Sequence, residues 1–389
     1  MIRKWLKTAA AAIVSLALVG CGASAEQKVE LFAVSVGKGD ALLIRVDDYT
    51  CLIDAGKAYV MGRVRAAMKE MGVEALDAVF LTHPDDDHAG GLEWLAASEI
   101  PVGQWYASGM FTEVKEKKHP ALTAAAARDQ EVTWLERGDS VPLGKTGATF
   151  RVLAPEMLFT DKDDNNSLVM MLETGEGRML FTGDMELAQE AVLLEKGDDL
   201  SCAVLKVPNH GDDDTLSAEF ARAASAQVAI ISTDSEEKPG TPDPGVLARL
   251  TAAGSACYVT QDAALGFRVT LRDGKASVEN VGIGEPLAAD VHISQVAPGD
   301  DVITLAGTGE ARDLSGWYLY SDRGGELFIF PEGTVLEAGG MLSVGTLSSG
   351  SEPYDVLWED KKVVHASKTD AISLFDRWGR LVDSLTNGL

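Results

Sequence analysis

Apolar positions along this chain fall mostly into short runs. Residues 29–36 (VELFAVSV), 41–46 and 51–53 are β-branched and apolar, broken by Gly and Asp, and predict strands joined by turns. Between 60 and 71 the period changes. Val60, Val64, Ala67, Met68 and Met71 recur at helical spacing and predict a helix. Residues 78–82 predict a buried strand and 92–97 a helix. Further strands are predicted at 150–153, 168–172, 179–182, 203–207 and 228–232, with helices at 187–194, 216–224 and 244–253. Tyr258, residues 267–271 and Val278 fall in closing strands. This mixture suits sheets packed face to face with helices outside.

The pattern changes again at residues 282–290 (GIGEPLAAD). Beyond them helical periodicity is almost absent, and short strands alternate with Gly-rich turns, as in SGWYL at 315–319 and LFIFP at 327–331. A stretch of this kind fits a small β-sandwich. The organisation read from the chain is a segment at 1–20, a tether at 21–28, a first domain at 29–282 and a second at 290–389.

The first segment is a targeting signal by composition. Arg3, Lys4 and Lys7 make a basic start, and the apolar run at 9–19 is too short to span a membrane comfortably. Leu18-Val19-Gly20-Cys21 resembles a bacterial lipoprotein signal, which implies cleavage before Cys21, lipid on its sulfur and an anchor at the extracytoplasmic membrane face. An ordinary secretory signal is the alternative. Cys51, Cys202 and Cys257 lie in apolar runs and are read as buried free thiols, although one pair could bridge in an oxidising compartment.

Composition adds one exclusion. With 46% hydrophobic residues the chain can build a core, but its net charge of −26 argues against a broad electrostatic grip on nucleic acid. A phosphate-bearing substrate stays possible where a metal ion supplies the positive charge.

Candidate chemistry is concentrated at three predicted strand ends. The stretch 81–91 reads LTHPDDDHAGG. Pro84 biases His83 towards extended backbone, so His83 and Asp85 can face one ion while Asp87 and His88 turn towards another. Gly90 and Gly91 let the chain turn beneath them. The strand MLFTGD delivers Asp184, and LKVPNHG delivers His210. A carboxylate can bridge two cations and a strand-end histidine can complete one of them. Imidazole with carboxylate is ordinary ligand chemistry for zinc, manganese or iron. A solvated acidic loop opening a helix is the plain alternative for the aspartate run. His119, His292 and His365 lack such neighbours and read as surface or packing residues. The run 161–166 (DKDDNN) lacks the Gly and Glu of an EF-hand and reads as a mobile loop at the site rim.

Taken in order, these motifs resemble the metallo-β-lactamase fold. The flanking words VGKGDA (36–41), LIDAG (52–56), NNSLV (165–169) and LKVPNHG (205–211) resemble the hydrolase domain of ComEC-type competence proteins. The resemblance runs from about residue 29 to about residue 282. It implies an α/β fold, an αββα sandwich with a metal site at the strand ends between the sheets, and cleavage of phosphodiesters in DNA. Carried over residue by residue, it implies metal ligands at His83, Asp85, Asp87, His88, Asp184 and His210, with Asp184 bridging and Asp87 and Asp184 serving catalysis. Asp85 stands where the general fold has a second His. The third His of the first site has no counterpart; Asn165 or Asn166 occupies that stretch, and Asn209 stands where competence-type members often carry another His. This oxygen-rich set implies one or two divalent ions, leaning from zinc towards manganese or magnesium. Asp40 and Asp54 are expected to orient ligands. Lys38 or Lys206 could touch substrate phosphate, with a solvated surface lysine as the default.

Residues 313–317, 330–336 and 374–383 resemble the lamin-tail domain, an immunoglobulin-like sandwich, and imply an accessory binding role with Trp317 and Trp378 as packing residues. Three functions follow from the sequence. The first is a membrane-anchored metal-dependent nuclease acting on DNA. The second is a hydrolase of a smaller phosphodiester, phosphorylcholine ester or nucleotide, favoured by the acidic charge. The third is a catalytically weak envelope-binding protein on a retired hydrolase fold. No transmembrane channel is read in the chain, so DNA import by this chain alone is not expected.

Overall fold

The computed structural model describes residues 27–111, 119–349, 354–360 and 362–388. The basic start, the apolar run after it and Cys21 lie outside the described residues.

Among the described residues, one sheet of eight strands runs in the spatial order Lys275–Val281, Gly266–Arg272, Val29–Val34, Leu42–Val46, Tyr49–Ile53, Leu76–Leu81, Val102–Ser108 and Val132–Leu135. A second, of seven strands, runs Ala256–Val259, Val228–Ile231, Val204–Lys206, Gly177–Phe181, Val169–Thr174, Thr149–Ala154 and Ser140–Pro142. The side-chain period of two sorts each strand between two layers. In Val29–Val34, Leu31 and Ala33 enter the core between the sheets, while Phe32 and Val34 meet helix Met61–Met71 and its neighbours. In the second sheet Met170, Leu172, Met179 and Phe181 point between the sheets. Met171, Leu180 and Leu205 face the layer of helices Leu187–Lys196, Ala218–Ala224 and Pro244–Ala252. Strands covered on both faces read as continuous apolar runs, which explains the lack of clean alternation in VELFAVSV. Each fully buried Leu, Phe or Met side chain contributes about 1.5–3 kcal/mol.

Between residues 98 and 149, where no elements were read from the pattern, the structure has strands Val102–Ser108, Val132–Leu135 and Ser140–Pro142, and helix Pro120–Ala126. Val102–Ser108 carries exposed Gly103 and Gln104 among its buried positions, so its pattern is weak. Parallel pairing with Leu76–Leu81 and Val132–Leu135 holds it in place.

The first domain's last strand ends at Val281, and the next strand starts at Val291. From there two four-stranded sheets, joined by the small pair Arg312–Asp313 and Val335–Leu336, enclose a core that includes Trp317, Phe330, Trp358 and Leu374. Trp378 instead packs partly buried against the first domain's helical layer. The two domains interlock there. The Tyr318 hydroxyl donates to the Tyr59 carbonyl at 2.5 Å, and Arg63 Nε donates to the Gly379 carbonyl at 3.3 Å. A Cβ on Gly62 would lie 2.4 Å from the Tyr318 ring, so the contact requires a glycine.

Among the described residues no helix is long and apolar enough to cross a membrane. Cys51, Cys202 and Cys257 are free thiols, and burial pushes Cys202 up to about 12, which makes it inert.

Candidate metal centre

Strand ends from both sheets converge on one edge. His83 follows Leu76–Leu81, Asp54 follows Tyr49–Ile53, Asp184 follows Gly177–Phe181 and His210 follows Val204–Lys206, while Asp40 precedes Leu42–Val46. Backbone bonds stitch these ends together: Leu168 N donates to Thr82 O at 2.9 Å, Asp54 N to Phe80 O at 2.8 Å and Asn209 N to Gly183 O at 3.2 Å.

The His83–Gly91 segment is held from below. Asp85 is extended and opens a single helical turn, Asp86–Ala89, whose His88 and Ala89 amides donate to the Asp85 carbonyl at 3.0 and 2.8 Å. Asp40 N donates to Asp87 O at 3.1 Å, Ala55 N to His88 O at 2.7 Å and Gly91 N to Gly56 O at 2.9 Å. At Gly39 an added Cβ would sit 2.5 Å from the Asp87 carbonyl, with φ at +153°, so only glycine allows this approach. Asn209 (φ 42°) and His210 (φ 53°) are both left-handed, a conformation that costs on the order of 1–3 kcal/mol per residue and clusters at functional sites.

Two imidazoles are fixed by their outer nitrogens. His88 Nδ1 donates to Asp54 Oδ2 at 2.8 Å, and Asp54 also accepts from Thr82 N at 2.8 Å and Thr82 Oγ1 at 2.7 Å. His210 Nδ1 donates to the Ser232 carbonyl at 2.7 Å. Both rings therefore present Nε2 to the same point, 3.2 Å apart. Asp184 Oδ2 lies 3.1 Å from His88 Nε2 and 2.9 Å from His210 Nε2, and 3.9 Å from His83 Nε2. Asp87 Oδ2 lies 3.5 Å from His210 Nε2 and pairs with the Lys38 ammonium. Ligand atoms of His83, Asp85 and Asp164 also lie within 4.8 Å of one another, and Asp184 reaches this group through His83. Asp184 thus stands between two donor sets: His83, Asp85 and Asp164, and Asp87, His88 and His210.

Ligand atoms of Asp40, His88, Asp184 and His210 also fall within 4.8 Å of one another. Asp40 nevertheless sits outside the donor set, because its Oδ2 reaches His88 on the Nδ1 side at 3.8 Å and binds the Lys206 ammonium at 2.5 Å.

Electrostatics mark a cation site. Burial raises the Asp164 carboxyl, and Asp184 and Asp85 raise it further, to about 7. Burial and the neighbouring His88 push His83 down to about 4, so it is neutral at pH 7 and keeps one ring-nitrogen lone pair for a ligand bond. Burial opposes charge on Asp184, yet His210 and His88 hold it well below the carboxylate range. Buried Asp184 Oδ1 makes no hydrogen bond. Crowded carboxylates and aligned imidazoles fit a divalent ion.

The structure thus gathers His83, Asp85, Asp87, His88, Asp184 and His210 into one cluster and puts Asp54 and Asp40 behind it. Three readings change. Neither asparagine offers a ligand oxygen. Asn166 Oδ1 accepts from Phe159 N at 2.8 Å and its Nδ2 donates to Phe159 O at 2.8 Å, which commits the side chain to the loop backbone. Asn165 Oδ1 accepts from Glu186 N and Gln189 N at 3.2 and 3.0 Å. Asp164, just before them, takes the place beside His83. Within the run 161–166, Asp161 and Lys162 are exposed, but Asp163–Asn166 forms a 3-10 turn with both asparagines buried. Lys206 is not a solvated lysine but is 1% exposed beneath the site. Lys38 is a quarter exposed at the mouth. His119 packs between Phe111 and Trp134, at ring-centroid distances of 5.1 and 5.0 Å.

Residues 34–235 match the profile of the Metallo-beta-lactamase superfamily, slightly over half of the chain. The chain belongs to that superfamily. Members of the metallo-beta-lactamase superfamily are generally metal-dependent hydrolases. Residues 285–388 match the Lamin Tail Domain. The chain is 30% identical over 208 residues to ComE operon protein 3 of Bacillus subtilis, a match covering 53% of this chain and 26% of that protein. It is 27% identical over 231 residues to Competence protein ComA of Neisseria gonorrhoeae, covering 59% of this chain and 30% of that one. It therefore spans less than a third of the length of these relatives. Among solved structures, the metallo-beta-lactamase fold protein YhfI of Bacillus subtilis aligns with a TM-score of 0.42 at 14% identity, covering 63% of this chain and 100% of that one.

Proposed function

We propose that this metallo-beta-lactamase superfamily protein is a metal-dependent phosphodiester hydrolase that acts on DNA and is anchored at the extracytoplasmic membrane face through lipid on Cys21. The observation that carries the reading is the position of Asp184 between two donor sets at the sheet edge. The competence proteins named above support DNA as the substrate.

His83, Asp85, Asp164 and Asp184 would hold one manganese, magnesium or zinc ion, and Asp87, His88, His210 and Asp184 a second. When bound, such ions supply Lewis acidity and a water of lowered pKa. The chain's own residues do the rest. Asp54 and Ser232 fix the tautomers of His88 and His210. Although burial opposes it, His210 and His88 hold Asp87 ionised far below its usual range. Asp87 is therefore a weak base, suited to orienting an attacking water by accepting its hydrogen. Lys38 presents an ammonium at the mouth, where a phosphoryl oxygen gathers charge.

A second reading is hydrolysis of a small phosphodiester or nucleotide. Exposed Asp86, Asp161 and Asp213, on or near the candidate ligand loops, favour it, because they repel a long polyanion. Metal-stripped protein resupplied with manganese, magnesium or zinc would be assayed on single- and double-stranded DNA and on bis(p-nitrophenyl) phosphate. An Asp87→Ala/His210→Ala variant would run beside it. Metal-dependent DNA cleavage lost in the variant supports the first reading. Turnover of the small ester alone selects the second, and no turnover with any ion leaves a binding protein.

A further inference from the structure

A cleft of about 550 Å³ lies between the two domains and opens beside the metal-binding loops. Tyr59, Asp234 and Glu237 line it from the first domain, and Tyr320, Asp322 and Phe375 from the second. Its aromatic wall is continuous. The Tyr59 and Tyr320 ring centroids are 5.8 Å apart, and Tyr59 and Phe375 stack at 6.2 Å with planes 20° apart. The carboxylates face a single guanidinium in the lining, that of Arg63, which is tied to backbone carbonyls of Ser35 at 2.8 Å and Gly379 at 3.3 Å. Glu237 is already neutralised by Lys57 at 2.5 Å. The Lys57 ammonium also lies 5.7 Å from the Tyr59 ring centroid, so the chain itself sets a cation against this wall. Tyr320, Asp322 and Asp234 form its acidic, aromatic remainder.

The cleft reaches the catalytic edge. Gly37 lines it, and the next residue, Lys38, pairs with Asp87 and donates its amide to Glu237 Oε2 at 3.4 Å. A nucleobase could stack on such rings, but carboxylates on both walls oppose the phosphate that comes with it. They favour a positive group, and aromatic faces with carboxylates are the usual receptor for an alkylammonium.

We infer that the interdomain cleft binds an alkylammonium group, and that on the second reading above it is carried by the substrate, a small phosphodiester with a cationic head. The link to turnover rests on the phosphodiesterase reading, whereas cation binding does not. The lamin-tail domain supplies Tyr320 and Asp322, while Phe375, stacked on both Tyr59 and Tyr318, backs the wall.

Choline is the probe. Its binding to the full chain would be measured by calorimetry in the wild type, in Asp184→Asn, and in Tyr320→Ala and Asp322→Asn, with thermal melts confirming that each variant folds. Choline binding that persists in Asp184→Asn and weakens about tenfold in either cleft variant is the expected result. Absence of choline binding, or equal binding in the cleft variants, overturns the inference. In parallel, KM would be compared for p-nitrophenyl phosphorylcholine and bis(p-nitrophenyl) phosphate. A lower KM for the choline ester, with the ratio collapsing in Tyr320→Ala, places the cleft in the substrate path. A ratio that the variant leaves unchanged removes it from that path. Loss of turnover on both esters in the wild type, with choline binding intact, would count against the hydrolase reading and not against the cleft.

Discussion

Lys206 buries its ammonium 2.5 Å from Asp40 Oδ2, beneath the candidate metal centre. The Gly183 carbonyl accepts from it at 3.2 Å, and Asp184 Oδ1 lies 3.7 Å away. Burial alone would lower its pKa, but Asp40 and Asp184 reverse that and leave it raised. A fixed positive charge therefore sits behind the carboxylate that both donor sets share. It offsets part of the acidity of the site and holds Asp184 with Oδ2 towards the histidines.

Removing that charge should be costly. Lys206→Met leaves Asp40 buried without its partner, and loss of one member of a buried pair destabilises by about 3–5 kcal/mol. Asp40→Asn combined with Lys206→Met should recover a large part of the loss. Urea denaturation of metal-free protein in a double-mutant cycle measures both. Equal losses that simply add would show that the pair is not coupled.

The Asp54 carboxylate accepts three hydrogen bonds, from Thr82 N, Thr82 Oγ1 and His88 Nδ1. Asp54→Asn exchanges one acceptor oxygen for a donor facing His88 or Thr82. Metal affinity should fall about 10–100-fold, the usual effect of losing an outer partner of a ligating histidine. Titration calorimetry with manganese reads the change.

Asp164 gives metal-free protein a pH dependence. Its folded pKa, raised by burial and by Asp184 and Asp85 to about 7, exceeds the ordinary 3.8. The folded state therefore binds the proton more tightly than the unfolded one between these values, and stability from this group falls as pH rises through that window. In the presence of chelator, the Asp164→Asn melting temperature should match the wild type near pH 4 and exceed it at pH 8. Two parallel melting profiles would contradict this.

The close approach at Gly39 gives a steric test. Gly39→Ala would press a methyl group against the Asp87 carbonyl at 2.5 Å and also strain the backbone. The variant should lose about 1–3 kcal/mol of stability and bind metal more weakly, because the carbonyl it displaces belongs to a ligand. Denaturation and manganese titration on the same sample would show both losses together.

The cluster of candidate ligands was legible in the sequence because its residues follow apolar strands, where local pattern and chemistry agree. His83, Asp85, Asp87, His88, Asp184 and His210 were all visible in this way. Lys206 was not, because a lysine inside LKV reads equally as a surface residue; only the position of Asp40, far away in sequence, explains its burial. Asp164 was hidden for a related reason. It belongs to an acidic run that looks solvated, and its role depends on Asn165 and Asn166 being anchored by Glu186 and Phe159. The strand Val102–Ser108 owes its place to pairing on both sides, and its own residues alternate poorly.

The central claim is that Asp184 joins two donor sets that hold divalent ions. Native mass spectrometry of the full chain, stripped of metal and re-equilibrated with manganese, tests it most directly. Bound manganese in the wild type, and its loss in Asp184→Asn with the fold retained, is the predicted result. A wild type that takes up no manganese, magnesium or zinc, or an Asp184→Asn variant that binds as the wild type does, would contradict it.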